Sequence, residues 1–456
     1  MSVLERYLVH SKEGFVDFHL EEFSDDDESD EENENEIRTS NNNRNNHAAE
    51  LDILEELCHS PISNPRCFSI DVGAWGNDDT VNDTDDHQYI NNAMVESIQR
   101  VFHHFAENQI LWKTLDLHSV QDHATRSIGR LVETSSRLSL FREMEISIVS
   151  FAQNIDGIFT GIEQNQRLEL LEIHMQGDAF SEADAFSLER LLTTTKTLRT
   201  LRICGVMNLR LESLGRGLAA NTTLDSLSID LSSAVDNDSL NTLFSTLATH
   251  PSLQFLEMTA SNACRESFVK GLNTLLSFSK SLEHLSLSNF HENGRLALEE
   301  VSDGLQQSRS LKVIETYSAL RGDTNMSTIF QLLPDCPTLE RLYFYEQCIE
   351  QQDLEKLKSM KRLDKPVTLF LSAHIINYLA KTIQEVLHCH PEIQLIAHDL
   401  GKAGKSLKHL CDLNLHGRYL LDRNVPLSLW PHVLQKCATK EDVLYFFLKG
   451  PAFAAR

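Results

Sequence analysis

The segment Gly401-Lys-Ala-Gly-Lys-Ser406 has the composition of a loop that could bind a phosphate group. It follows a strand-like stretch and precedes a helical one, which is the order that a phosphate-binding loop requires. The pattern needs a first glycine five residues before Gly404, however, and Asp399 occupies that position. A carboxylate there would repel phosphate. We therefore interpret the segment as a glycine-rich turn before a helix and predict no nucleotide cofactor.

The run His388-Cys389-His390 places three side chains that can ligate a metal next to one another. Consecutive side chains on a helix point in different directions, so they cannot converge on one ion. A tetrahedral zinc site needs four converging ligands, and the pair His103 and His104 offers no better geometry. The sequence also contains no G-x-S-x-G, H-E-x-x-H or paired catalytic carboxylates. We predict no catalytic residue, no metal site and no cofactor, and expect a protein that is not an enzyme.

Negative charge is the other chemical feature of the chain. The formal net charge is −26, and eleven acidic residues lie between Glu21 and Glu36, so about −15 remains elsewhere (−26 + 11). Nucleic acids need Lys and Arg counterparts for their phosphates, so this charge disfavours nucleic acid and favours a basic protein partner. The acidic tract and the asparagine-rich run that follows can bury little apolar surface. They predict disorder for residues 1–46.

One apolar phrase recurs at a spacing of 26 to 30 residues: an anchor, two variable residues, a second anchor, one variable residue and a third anchor. A fixed period of this length indicates stacked repeats, because no single unit can bury its apolar face alone. Looser copies begin at Trp112 and Phe141. The regular copies are Leu168-Leu171-Ile173, Leu198-Leu201-Ile203, Leu224-Leu227-Ile229, Leu253-Leu256-Met258, Leu282-Leu285-Leu287, Leu311-Ile314-Thr316 and Leu339-Leu342-Phe344.

Each copy predicts the same order of elements: a strand of about five residues, a polar loop, an amphipathic helix and a short turn. In one copy, Leu211, Leu214 and Leu218 share a helix face. On this basis residues 47–363 form about nine to ten repeats, with a polar insertion at residues 73–86.

Residues 364–456 follow the last clear copy of the phrase. They predict a strand at 367–371, a helix at 375–388, a second strand at 393–397 and further helices. Stacked repeats need a cap over their last apolar face, and we interpret this region as that C-terminal cap.

The strand–loop–helix unit with these anchors resembles the leucine-rich repeat, and its length and helix resemble the ribonuclease-inhibitor-like subclass. The stretches 425–433 and 442–447 resemble the C-terminal segment of uncharacterised microalgal leucine-rich-repeat proteins. The resemblance implies an α/β solenoid, a curved horseshoe with a parallel concave sheet and convex helices. One departure is that the asparagine three residues past the third anchor, which ties successive loops in the family, is absent. Those positions hold Gln176, Val206, Ser232, Ser261, Phe290, Ala319 and Gln347.

The residues between the anchors should point out of the concave side of the sheet, because side chains alternate across a strand. Acidic residues dominate the first half of this column, and tyrosines cluster at its end, where they could serve as binding anchors. We therefore expect a protein-binding surface on this side. Its predicted contact residues are Glu145, Glu172, Arg202, Glu257, Glu315, Tyr317, Tyr343 and Tyr345.

Two C-terminal stretches give an alternative function. The first, with Leu407 and Cys411 one turn apart, resembles the elongin-binding box of cullin–ubiquitin-ligase receptors. The second, beginning at Val425 and Pro426, resembles the cullin-selecting box that follows it. That resemblance implies a substrate receptor whose C-terminal helices recruit a ligase. Regulation of a small GTPase, which occurs in the ribonuclease-inhibitor-like group, is a further alternative without an identifiable catalytic residue.

The cysteines and the apolar runs bear on the compartment. Nine scattered cysteines without a C-x-x-C pair favour free thiols in a reducing compartment. The N-terminus carries charges where a signal peptide needs an apolar stretch, and no run approaches the roughly 20 apolar residues of a membrane span. We expect a cytoplasmic protein, with a nuclear location also open. The sequence does not predict an oligomeric state.

Overall fold

A computed structural model describes most of the repeat region, in two compact units, residues 1–230 and 231–456. Each unit is described by itself. The described residues are 15–18, 67–71, 84–120, 125–149, 155–176, 181–205, 209–231, 237–260, 265–288, 298–317, 330–345, 351–371, 380–397 and 419–421.

The first unit contains a parallel sheet whose strands pair in chain order. Each pairing aligns successive second and third anchors, so that Leu115 lies opposite Met144. The strands are β1 (Phe15–Phe18), β2 (Cys67–Asp71), β3 (Trp112–Val120), β4 (Phe141–Val149), β5 (Leu170–Gln176), β6 (Thr200–Cys204) and β7 (Ser226–Leu231).

Helices alternate with these strands and pack against one another in chain order. The helix that follows β5 begins at a capping box, in which Ser181 and Asp184 each accept a hydrogen bond from the other's backbone N–H. The helices of the first unit are α1 (Thr84–Glu107), α2 (Thr125–Arg137), α3 (Asp156–Ile162), α4 (Glu182–Thr194) and α5 (Leu211–Ala220).

The second unit repeats the alternation, again with parallel pairing in chain order. Short 3₁₀ helices occupy Leu298–Val301 and Leu333–Asp335. The other elements are α6 (Asn237–Thr249), β8 (Phe255–Ala260), α7 (Arg265–Phe278), β9 (His284–Ser288), α8 (Ser302–Gln307), β10 (Val313–Tyr317), β11 (Arg341–Tyr345), α9 (Gln351–Ser359), β12 (Val367–Leu371), α10 (Ala380–Cys389), β13 (Ile393–Ala397) and β14 (Tyr419–Leu421).

The anchors of the phrase form the core of both units. From Trp112 to Leu342, every anchor is at most 2% exposed. At about 25 cal/mol per Å², burial of one leucine contributes roughly 2 kcal/mol, so three anchors per repeat supply much of the stability. The helices add their own apolar stripes, including Leu211, Leu214 and Leu218 of α5, as their spacing predicts.

Aromatic rings fill the N-terminal end of the first unit's core. The ring of Phe68 meets those of Phe102, Phe105 and Trp112 edge to face, with centroids 5.3 to 5.9 Å apart. Phe102 meets Phe141 in the same way, at 5.6 Å. Such pairs add to the energy of apolar burial. Large rings therefore occupy core positions in these first repeats that leucine occupies in most later repeats.

The turns between helices and strands are tied by their own side chains. A polar residue three positions before the first anchor accepts a hydrogen bond from a backbone N–H of the same turn. This backbone N–H would otherwise have no hydrogen-bond partner, because it lies beyond the end of the helix. These acceptors are Asn165, Thr195, Asn221, His250, Ser279 and Ser308.

A second set of turn side chains links neighbouring repeats. Thr223 Oγ1 donates to the Leu198 carbonyl at 3.0 Å, one repeat earlier. Ser281 and Ser310 repeat this pattern and donate to the carbonyls of the preceding turns at 2.9 and 3.1 Å. In each of these turns, a hydroxyl just before the first anchor therefore forms a hydrogen bond to the preceding repeat.

The structure differs from the sequence predictions at three places. Strand β1 lies inside the segment for which the sequence predicts disorder, because a four-residue strand leaves no periodic signal. Helix α1 begins at Thr84, within the stretch assigned to the polar insertion. Parallel pairing also continues beyond residue 363, through β12, β13 and β14. The apolar phrase is not recognisable there in the sequence, because Pro366 and Glu392 occupy the first-anchor positions where earlier copies have a large apolar residue.

Candidate functional site

The residues that alternate with the anchors line up across neighbouring strands. We call the side of the sheet that they form the inter-anchor face. In the first unit, Asp116, Glu145, Glu172 and Arg202 are consecutive register partners. In the second unit, the corresponding row runs from Glu257 through Ser286, Glu315 and Tyr343 to Phe370. The predicted contact residues are therefore brought together in two groups, one in each unit.

The first unit's row is a crowded set of carboxylates. Glu172 accepts hydrogen bonds from His174 Nε2 at 2.7 Å and Arg202 Nη1 at 2.9 Å. Burial and then the negative charges of Asp116, Glu172 and Glu143 raise the pKa of Glu145. Glu145 thus lies where negative charge outweighs positive charge.

Glu143 extends the negative region towards the turn side of the same face. Its Oε2 accepts a hydrogen bond from Thr114 Oγ1 at 3.0 Å and lies 3.2 Å from Lys113 Nζ. Lys113 is exposed, so its pairing is largely screened by solvent. Glu143 and Glu145 alternate on β4, which places both carboxylates on the inter-anchor face beside Asp116 and Glu172.

Many described basic residues are paired away from this face. On the helices, Arg190 contacts Glu163 at 2.5 Å, and Arg216 contacts Glu189 at 2.8 Å, one repeat apart in each case. Along the turns, the same spacing joins further pairs. These are Arg142 with Glu169, Arg199 with Asp225 and Lys312 with Glu283. Such ladders pair charges on the helix and turn surfaces, whereas acidic side chains outnumber basic ones in the first unit's inter-anchor row.

The second unit's row combines carboxylates with a histidine and a serine. His284 Nε2 lies 3.2 Å from Glu315 Oε1, although the two are not aligned as a hydrogen bond. The Phe255 ring meets the His284 ring edge to face at 4.6 Å. Ser286 stands between Glu257 and Glu315 in register; it is 1% exposed, and its hydroxyl has no hydrogen-bond partner.

Aromatic residues continue the row. The Tyr343 ring stacks on the Phe370 ring with centroids 3.7 Å apart and planes 13° apart. Tyr317 and Tyr345 are register partners on β10 and β11, while their side chains lie outside the described part of the chain. Sequence reasoning missed Phe255, His284 and Phe370. The register rule would have found them, because they alternate with anchors on their strands.

The remaining predicted sites fall mostly outside the described residues. This holds for the glycine-rich segment 401–406, for the acidic tract, and for the ligase-type residues Leu407, Cys411, Val425 and Pro426, which stay predictions. In the His-Cys-His run, His390 is buried, whereas His388 and Cys389 are exposed. Within the described ranges, no three His, Cys, Asp or Glu side chains converge as a metal site would require. Among the described helices, none is long and apolar enough to cross a bilayer.

The repeated parallel strands, buried Leu-x-x-Leu-x-Ile anchors and alternating helices place the protein in the α/β class of stacked repeats. The anchor spacing and strand register define this fold as a leucine-rich repeat.

No family model matches the sequence, and no curated protein matches it. Several solved structures are similar in fold. The leucine-rich-repeat-containing protein LegL7 from Legionella pneumophila has a TM-score of 0.39 at 13% identity, over 64% of this chain and 89% of its own. A chain of the yeast Rad7–Elc1 complex has a TM-score of 0.34 at 12% identity, over 80% of this chain and 92% of its own. A chain of the TLR13–ssRNA13 complex has a TM-score of 0.32 at 12% identity, over 82% of this chain and 48% of its own. These values are too low to transfer a function.

Proposed function

We propose that this chain is a non-catalytic scaffold that binds a protein partner on the inter-anchor faces of its units. The observation that carries the proposal is the register-aligned row of carboxylates at Asp116, Glu145 and Glu172. Burial raises the pKa of Glu145, and the negative charges of Asp116, Glu172 and Glu143 raise it further. A basic partner would supply positive charge to this row.

The form of the surface also supports binding of a protein. Side chains of successive repeats offer a broad array of polar and aromatic groups at strand spacing, about 4.8 Å apart. Tyr343 and Phe370 give the second unit's face an aromatic area, and rings of this kind are frequent anchors in protein interfaces. A nucleic acid would meet repulsion from the same carboxylates, so we propose no nucleic-acid partner.

Two broader features belong to the same proposal. The repeat length of 26 to 30 residues and the helices after the strands favour the ribonuclease-inhibitor-like subclass. The described cysteines Cys336 and Cys389 form no disulfide, which favours a reducing compartment, the cytoplasm in the first place.

Charge reversal on the face tests the proposal. We expect Glu172→Lys in the first unit, or Glu257→Lys with Glu315→Lys in the second, to reduce partner recovery by at least about tenfold, because like charges repel across an interface. The tagged full chain is purified from cells, and the co-purifying proteins are quantified by mass spectrometry.

Matched controls reverse charge on the exposed helix surface. Glu182→Lys on α4 and Glu266→Lys on α7 make the same change in net charge away from the face. Partner recovery should stay within about twofold of the unmodified chain for these variants. Equal recovery in face and helix variants would show that the inter-anchor faces do not bind the partner.

A further inference from the structure

We propose that the first unit's inter-anchor face is a pH-sensitive switch, which holds a basic partner at neutral pH and releases it as His174 gains a proton. The proposal rests on the proposed function and adds its regulation. We call His174, Glu172 and Arg202 the switch triad.

The first support is the geometry of the switch triad. Glu172 Oε1 lies 2.7 Å from His174 Nε2, and Glu172 Oε2 accepts a hydrogen bond from Arg202 Nη1 at 2.9 Å. An ionised carboxylate only accepts hydrogen bonds, so Nε2 of His174 carries the hydrogen in this pair. A second proton on the ring, at Nδ1, makes the imidazole a cation without breaking the contact. The charge of Glu172 is then offset on both sides.

The second support is the exposure of the pair. The His174 side chain is 48% exposed, whereas that of Glu172 is 15% exposed. The ring can therefore exchange protons with water, while its partner carboxylate is largely shielded. Histidine is the side chain type that changes its charge between roughly pH 5 and 8. One proton on His174 thus alters the charge that this part of the face presents to a partner, within the range of pH that cells use.

The third support is the charge balance of the row. Asp116, Glu145 and Glu172 stand against Arg202, which is a formal excess of two negative charges. A proton on His174 halves that excess. Because opposite charges attract and like charges repel across an interface, a basic partner then binds less tightly.

Glu145 extends the response in the same direction. Burial raises the pKa of Glu145 and three neighbouring carboxylates raise it further, whereas His174 lowers it. The row therefore begins to lose a second negative charge above the ordinary glutamate pKa of about 4.3. A bound basic partner favours the ionised carboxylate and the neutral imidazole. By linkage, its affinity is highest at neutral pH and falls as pH falls.

The other groups next to His174 do not oppose this response. Its register partners are Ser147 on β4 and Cys204 on β6, and neither a hydroxyl nor a thiol gains charge as pH falls below 7. Further along β4, Glu143 is paired with Lys113. The change in charge at neutral to mildly acidic pH is therefore centred on His174.

Binding of a basic peptide across pH tests the switch. The probe is a rhodamine-labelled peptide of alternating arginine and serine, whose own charge stays constant. Its anisotropy is measured with the full chain at constant ionic strength between about pH 7.5 and 5.5. His174→Gln keeps an N–H donor for Glu172 but cannot gain charge. Over this range, the unmodified chain should lose at least about threefold more affinity than His174→Gln.

A permanently charged variant gives the converse test. His174→Lys should bind the peptide about threefold to tenfold more weakly than the unmodified chain at pH 7.5, while His174→Gln stays within about twofold there. His103→Gln and His103→Lys, on the exposed surface of α1, are the matched controls and should stay within about twofold of the unmodified chain at each pH. Any pH response of His284 in the second unit is common to all of these variants and cancels in the comparison.

Four results would overturn the switch. They are no peptide binding at pH 7.5, a His174→Gln profile parallel to that of the unmodified chain, undiminished binding by His174→Lys at pH 7.5, and equal losses in His103→Lys and His174→Lys.

The outcome is separable from that of the proposed function. If Glu172→Lys still abolishes partner recovery, while His174→Gln responds to pH as the unmodified chain does, the switch is wrong and the scaffold function stands. If His174→Gln removes the pH response, while Glu172→Lys leaves partner recovery unchanged, the switch stands for basic ligands and the cellular partner binds elsewhere.

Discussion

Gly205, directly after β6, takes a backbone conformation that other residues adopt only with strain. Its φ is +71°, and a Cβ atom added there would lie 2.1 Å from the Met175 carbonyl oxygen of the preceding repeat. Its N–H donates to Asp230 Oδ2 at 3.3 Å on the following strand. The left-handed conformation alone costs a residue with a Cβ about 1–2 kcal/mol, and the close contact forces the backbone to move. This glycine therefore sets how closely successive loops approach.

We predict that Gly205→Ala lowers the free energy of unfolding of the first unit by at least about 2 kcal/mol. Chemical denaturation followed by circular dichroism measures the loss. Gly157→Ala in α3 is the matched control, because a Cβ there meets nothing within 4 Å and alanine favours a helix by about 0.5–1 kcal/mol. A Gly205→Ala variant as stable as the unmodified chain would contradict the prediction.

Glu392 occupies a first-anchor position, where the repeats from Trp112 to Leu339 have an apolar residue. Leu363 N–H donates to its Oε1 at 2.9 Å, and His390 Nδ1 lies 3.1 Å from the same oxygen. Burial alone would raise the pKa of Glu392, but hydrogen bonds from its own backbone N–H, from Leu363 and from His390 outweigh burial and lower this pKa. The ionised carboxylate thus replaces apolar contact with polar capping of the turn.

Because the pKa of Glu392 is lowered in the folded state, its ionisation stabilises the fold above the ordinary glutamate pKa of about 4.3. That stability is lost as pH falls through the lower folded value. We predict that Glu392→Gln lowers the melting temperature at pH 7, with a difference that shrinks below about pH 4. Thermal melts across pH measure this, with Glu355→Gln on the exposed face of α9 as control. A difference that stays constant with pH would rule out this role.

At the scale of elements, the turn before β7 shows how one side chain holds two repeats. Asn221 is buried; its Nδ2 donates to the Leu192 carbonyl at 2.8 Å, one repeat earlier. Its Oδ1 accepts from the N–H groups of Thr223 at 2.9 Å and Leu224 at 2.8 Å. Loss of this amide leaves a buried carbonyl and backbone donors without partners, and each such group is costly.

We predict that Asn221→Ala destabilises the first unit by about 2–4 kcal/mol, measured by chemical denaturation. Thr222→Ala, at the exposed neighbouring position in the same turn, should change the stability by less than about 0.5 kcal/mol. If both variants lose the same stability, the turn acts through backbone conformation and not through the Asn221 amide.

The elements differ in how far the sequence determines them. Anchors such as Leu201 and Ile203 were predictable because a buried strand leaves a period that recurs every repeat. The row Glu145–Glu172–Arg202 was predictable for the same reason, since register follows from the anchors. Beyond residue 363 the apolar period is not visible in the sequence. Glu392 occupies a first-anchor position there and forms hydrogen bonds instead of apolar contacts.

Side-chain contacts of the candidate site were less predictable than its register. The His284–Glu315 contact and the Tyr343–Phe370 stack depend on rotamers that each neighbour selects. The unpaired hydroxyl of Ser286 depends on where the flanking carboxylates point, which no spacing rule specifies. Sequence thus predicts which residues share the face, while packing decides which of them interact.

At the scale of the whole molecule, the helix and turn surfaces differ from the inter-anchor faces in how their charges are arranged. Helix and turn surfaces carry paired ladders such as Arg216 with Glu189, whereas the inter-anchor faces hold crowded carboxylates. The formal net charge of −26 adds a field that extends beyond any single contact. Local rows would set how tightly a basic partner is held, and the total charge would set how often it arrives.

The acidic tract separates these two contributions. Replacement of its acidic residues between Glu21 and Glu36 by Gln and Asn changes the net charge from −26 to about −15 without altering a described anchor or face residue. Charge acts over roughly a Debye length, about 8–10 Å near physiological salt, so a tract that makes no contact still attracts a basic partner at low salt.

We predict a fall of about threefold to tenfold in the association rate of a fluorescein-labelled peptide of alternating arginine and serine, with an unchanged dissociation rate. Stopped-flow fluorescence measures both rates, and the two association rates should converge as salt rises. Glu315→Gln should do the reverse and raise the dissociation rate. A faster dissociation from the neutralised tract would instead show that the tract itself contacts the peptide.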